Sequence, residues 1–130
     1  RNSELIAMKS TSWIDIGALF GFLAVAAGAF GAHALKSKLP PDLLSTFEAG
    51  ARYQMFHALA LVLLGIMAQS LVSPMLEWSG RFFVGGIILF SGSLYLLALT
   101  GISALGALTP LGGLCFMMGW VLLAIGVYRG

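Results

Sequence analysis

Charge is what this sequence has least of. Charged residues make up 9% of its 130 residues and hydrophobic residues 59%, whereas an average soluble domain is about 25% charged and about 45–50% apolar. With a mean hydropathy of +0.97, a water-soluble globule is excluded. Seven Lys and Arg against five Asp and Glu give a net charge of +2. No run of the chain gathers the Lys and Arg that must replace condensed counterions on nucleic acid, so that partner is excluded. The single cysteine, Cys115, cannot close an intramolecular disulfide or supply a redox thiol pair. Between Leu114 and Phe116 it reads as a small apolar filler.

Long uncharged runs are what remains, and they locate membrane spans, because a helix crossing a hydrocarbon core of ~30 Å needs about 20 mostly apolar residues. Four are expected, at about 13–34, 47–72, 82–100 and 109–128. The last two share an uncharged stretch too long for one crossing, and Gly101, Gly106 and Thr109-Pro110 mark the turn, with Thr109 as N-cap and Pro110 at the first helical position. The expected fold is an all-α membrane bundle of four transmembrane helices forming one domain over 8–130. Residues 1–7 read as foreign to a native chain opening at Met8. From Met8-Lys9 to Ala32-His33-Ala34 the chain has the outline of a signal peptide, but its apolar run exceeds the usual core of about 7–15 residues.

Lys36 to Asp42, with Pro40 and Pro41, forms the first loop, Glu77 to Arg81 the second. Ser45 and Glu48 have the spacing of a capping box. Four spans place both termini on one side. With Arg52 assigned to the protein interior, Lys9, Arg81 and Arg129 outnumber Lys36 and Lys38, and cytoplasmic termini in a bacterial inner membrane are expected.

Membrane helices associate where small residues let backbones approach. Gly17, Gly21, Ala24, Gly28 and Gly31 recur at steps of four and three on the first span, which is therefore expected to be the central packing element. Gly85 and Gly92 repeat on the third span, and Gly112, Gly119 and Gly126 on the fourth. Trp13, Trp78 and Trp120 read as ordinary interfacial anchors.

Ionisable groups in a bilayer are costly and mark function by default. Nearly all gather at the end of the bundle with the first and third loops: His33 closes span one; Glu48, Arg52, Tyr53, Gln54 and His57 open span two; Tyr95 and Thr100 lie toward the end of span three; Thr109 opens span four. Glu48 and Arg52 are expected to form a structural ion pair, and Tyr53 and His57 share a different stripe of the same helix. Two histidines without a secure acidic neighbour underdetermine a metal site, so no metal or cofactor is expected. A proton relay lacks partners at the far end, where only Asp15 lies. The N-termini of spans two and four point partial positive charge at this face, which suits an anionic headgroup.

The segments Gly28-Ala29-Phe30-Gly31-Ala32-His33-Ala34-Leu35, Arg52-Tyr53-Gln54-Met55-Phe56-His57-Ala58-Leu59-Ala60, Leu89-Phe90-Ser91-Gly92-Ser93-Leu94-Tyr95 and Thr109-Pro110-Leu111-Gly112-Gly113 resemble those of the transmembrane protein 256-like family, also grouped as domain of unknown function 423. The resemblance implies a small multi-span membrane protein and attaches no reaction to it. Its motif residues fall on His33, Arg52, Tyr53, Gln54, His57, Ser91, Ser93, Tyr95, Thr109 and Pro110. The expected function is a non-catalytic membrane protein binding a lipid or amphipathic anion at His33, Arg52, Tyr53, Gln54, His57, Tyr95 and Thr109, or docking a membrane partner or second copy there. The alternative is a small membrane enzyme or transporter using His33 and His57 as acid-base or ligand groups.

Overall fold

The computed structural model describes residues 2–129, without the side chains of 2–3 and 6–11. Arg1, Gly130 and the side chain of Lys9 therefore lie outside the described residues, as do most side chains of the segment read as foreign. Helix α1 runs Asn2–Val25, continues through a π-helical segment at Ala26–Gly31 and ends in Ala32–Leu35. Helix α2 is Pro41–Met67. Helix α3 begins as Pro74–Gly86, passes a second π-helical segment at Ile87–Ser91 and finishes as Gly92–Thr100. A 3-10 turn at Ser103–Ala107 leads into α4, Thr109–Arg129. Four helices are long and apolar enough to cross a membrane, and among the described residues there is no strand.

Proline and serine chemistry moves three boundaries from where hydropathy put them. Pro41 takes the first position of α2 after an extended Pro40, so Ser45 lies inside the helix and cannot cap it. Ser73 caps α3 by accepting from the Met75 N–H, with Pro74 at the first position. The expected loop at Glu77 to Arg81 is consequently helix, and the α2–α3 connection falls at Ala68 to Ser73. Gly101 ends α3 in the left-handed region at φ 73°, which favours glycine.

The helices pack in chain order, α1 on α2, α2 on α3 and α3 on α4. The central element is α2 and not α1: over their apolar stretches α2 is 50% buried and α1 11%. The reason is that the glycine stripe of α1 meets α2 alone. Gly17 lies against Ala58 and Val62, Gly28 against Ala51, and Gly31 against the Phe47 ring. The rest of α1 presents Leu19, Phe22 and Phe30 outward.

Most other close glycines are seats for aromatic rings. Gly119 carries Phe83, Gly86 carries Phe116, Gly80 carries Trp13 and Gly50 carries Tyr95, while Gly126 takes Leu76. Gly112 differs, since it meets the backbone of Phe90 directly. Gly85 and Gly92 have nothing within 4 Å of an added Cβ, so the expected seam on the third span is not a contact. Gly86 lies about 100° round the helix from Gly85, and it is the face that meets α4. The resulting core joins Trp13, Leu61, Leu64, Leu76, Phe83, Ile87 and Phe116.

Candidate functional site

The polar residues expected to form one face divide between an interior network and exposed positions, two of which line a groove. Gln54, buried on α2, donates from Nε2 to the Phe20 carbonyl of α1 at 2.8 Å and accepts at Oε1 from the Tyr95 hydroxyl of α3 at 2.7 Å. One side chain thereby ties three helices. His57, one turn further on, is engaged at both nitrogens: Nδ1 lies 2.8 Å from the Tyr53 carbonyl, and Nε2 lies 3.0 Å from Nε1 of Trp120 on α4. An indole N–H only donates, so His57 Nε2 accepts and the proton sits on Nδ1, donating to Tyr53. The imidazole is neutral and stacks on Phe116 with ring centroids 3.6 Å apart.

Serines complete the network. Ser91 donates to the Gly50 carbonyl and Ser79 to the Gly119 carbonyl, each at 2.7 Å. Ser93 pairs with Thr109 at 2.7 Å, so the Thr109 hydroxyl joins α3 to α4 and no helix-capping bond is formed by it. No buried side-chain nitrogen or oxygen among the described residues lacks a partner. Gln54, His57, Tyr95 and Thr109 are thus bonded within the bundle, which is what hydrocarbon demands of buried polar groups.

Trp13 and Trp120 do more than the anchor reading gave them, while Trp78 stays exposed. Trp13 is 8% exposed, sits on Gly80 and donates to Glu77 Oε2 at 3.0 Å. Trp120 is the donor that sets the His57 tautomer. Ser79, Gly50, Gly80 and Gly86 escaped the sequence reading too, because their role depends on which neighbour each faces.

His33, Arg52 and Tyr53 are exposed, so Arg52 does not lie in the protein interior as the sidedness count assumed, and Lys9, Arg81 and Arg129 are matched by Lys36, Lys38 and Arg52 at the other end. The expected Glu48–Arg52 pair is not formed: the ion pair among the described residues is Arg81–Glu77 at 3.9 Å. Two exposed long side chains at this spacing gain only about 0.3–0.5 kcal/mol from pairing, against the entropy of holding them. Both instead line a groove of about 300 Å³ between α1 and α2, walled by Ala24, Gly28, Ala51, Met55 and Phe56. Its α1 wall includes part of the π-helical segment, a distortion frequent at functional sites. A second cavity, of about 350 Å³, lies at the opposite end beside Trp13, Leu71, Ser73 and Glu77. Its carboxylate is already engaged by Trp13 and Arg81. No group of three or more His, Cys, Asp or Glu among the described residues could hold a metal ion.

These features define a small four-helix membrane protein with an internally satisfied polar core and a charged groove on its flank. Residues 27–113 match the family described as "Protein of unknown function (DUF423)", and the chain belongs to that family. It is similar to the "UPF0382 membrane protein SSP2132" of Staphylococcus saprophyticus, 46% identical over 117 residues that cover 90% of this chain and 97% of the relative. The "UPF0382 membrane protein SAB0533" of Staphylococcus aureus is 44% identical over 117 residues, covering 90% and 95%. The "UPF0382 membrane protein YwdK" of Bacillus subtilis is 42% identical over 118 residues, covering 90% and 96%. No solved structure matches.

Proposed function

We propose that this protein is a non-catalytic lipid-binding protein of the bacterial inner membrane, which holds a phospholipid phosphate at Arg52 in the groove between α1 and α2. The observation carrying the reading is that Arg52 is exposed in a groove and forms no ion pair among the described residues. Ala51 lies against Gly28, eight residues short of Lys36, which at a rise of 1.5 Å per residue sets Arg52 about 12 Å inside that end of the bundle. A cation at that depth gains from a phosphate brought down to it and from its own stem reaching outward. Enzyme or transporter chemistry through His33 and His57 is the weaker reading, since both His57 nitrogens are occupied and His33 is exposed on another helix.

The test is the lipid that co-purifies with Arg52→Gln, counted by native mass spectrometry of the intact chain. Because Glu48 is not paired with Arg52, the single substitution strands no partner. The reading requires a folded variant with depleted phospholipid. A folded variant retaining its full lipid overturns it and makes docking of a membrane protein, or of a second copy, the better reading.

A further inference from the structure

The unused acid in this groove carries the reading further. Glu48 and Arg52 lie one turn apart on the same stripe of α2, line the same cavity and do not pair with each other. At the other end of the bundle an acid and base of identical spacing, Glu77 and Arg81, do approach, at 3.9 Å. Glu48 also has no neighbouring cation in the groove other than Arg52. The groove thus offers two opposite charges in a fixed order along the membrane normal, the carboxylate nearer the α1–α2 loop and the guanidinium about 6 Å deeper.

We propose that the groove selects a zwitterionic phospholipid with a primary ammonium, of the phosphatidylethanolamine class, its phosphate on Arg52 and its ammonium on Glu48. This rests on the lipid-binding reading above. In such a lipid the phosphate lies next to the glycerol and the ammonium two carbons further toward water, so its charges run in the complementary order. Charge-assisted hydrogen bonds form at both ends: the guanidinium donates to phosphate oxygens and the ammonium donates to the carboxylate. An anionic lipid lacking the ammonium leaves Glu48 facing uncompensated negative charge. A choline headgroup has no N–H to donate and is bulkier. Gly28 and Ala51 leave the width for the headgroup, and Ala24, Met55 and Phe56, deeper in the groove, face the acyl chains.

The experiment presents the intact purified chain with vesicles of equal phosphatidylethanolamine, phosphatidylglycerol and phosphatidylcholine, and reads the retained lipids by native mass spectrometry. Unaltered protein is expected to enrich phosphatidylethanolamine over each of the others by about tenfold, the size of one charge-assisted hydrogen bond. Glu48→Gln is expected to keep its total lipid while losing that preference and shifting toward phosphatidylglycerol. Arg52→Gln is expected to lose all three. An unchanged preference in Glu48→Gln overturns this inference and leaves the lipid-binding reading standing, whereas full retention by Arg52→Gln overturns both. Equal retention of phosphatidylethanolamine and phosphatidylcholine by the unaltered chain also overturns the inference, and that arm needs no variant to fold.

Discussion

Nε1 of Trp120 donates to Nε2 of His57 across 3.0 Å, and this contact fixes the histidine as the neutral Nδ1–H tautomer in the middle of the bundle. A residue that invites a catalytic or relay reading from its type alone is thereby a helix-joining group between α2 and α4. Its ring faces Phe116 and its other nitrogen is held by the backbone.

That tautomer is directly observable. Nitrogen chemical shifts of His57 are expected to show a protonated Nδ1 and an unprotonated Nε2. Trp120→Phe keeps the ring packing on Phe83 and removes the donor, so stability in detergent should fall by about 0.6–1.7 kcal/mol, between the average and the largest interhelical hydrogen bonds in membranes. A His57 bearing its proton on Nε2 would contradict the donor assignment.

Adjacent glycines on α3 should respond in opposite ways to the same substitution. Gly86→Ala drives a Cβ into the Phe116 ring, whereas Gly85→Ala meets nothing within 4 Å. The first should lower the unfolding temperature. The second should leave it unchanged or raise it slightly, since alanine is favoured over glycine in a helix by up to about 1 kcal/mol. Gly112→Ala, against the Phe90 backbone, should cost more than Gly31→Ala, whose obstacle is the movable edge of a ring. Equal melting temperatures for the Gly85 and Gly86 variants would refute the ring-on-glycine account.

Truncating Glu77 to Ala removes both the acceptor of Trp13 and the partner of Arg81. Glu77→Gln retains an acceptor for the indole. Detergent melting should therefore rank the unaltered chain above Glu77→Gln and that above Glu77→Ala, with Trp13 fluorescence shifted most in the last. Indistinguishable spectra for the two variants would show that the indole bond is dispensable.

Sidedness can be read with single cysteines in a Cys115→Ala background. The connections lie at Lys36 to Pro40 and Ala68 to Ser73, and Ser79 is fully buried, so positions 37 and 70 are the informative pair. An impermeant thiol reagent should reach Ser37→Cys and Ser70→Cys from opposite faces. Labelling of both from one face would break the four-crossing arrangement.

Sparse charge and four long apolar runs were enough to establish the environment and the number of crossings, because hydropathy and helix length are properties of a segment by itself. The family was equally legible, in segments from Gly28-Ala29-Phe30-Gly31 to Thr109-Pro110-Leu111-Gly112. What a segment cannot carry is the rotation of one helix against the next. That rotation made α2 central where the glycine stripe favoured α1, put Gly86 in contact and Gly85 in open space, and drew Gln54, His57 and Tyr95 inward while leaving Arg52 outside. Glu48 and Arg52 keep one stripe of α2 whatever that rotation, and they stay unpaired because holding two exposed side chains together costs entropy. In a bilayer each buried polar group must find its partner on a neighbouring helix, so the choice between structural bond and open site belongs to the tertiary arrangement.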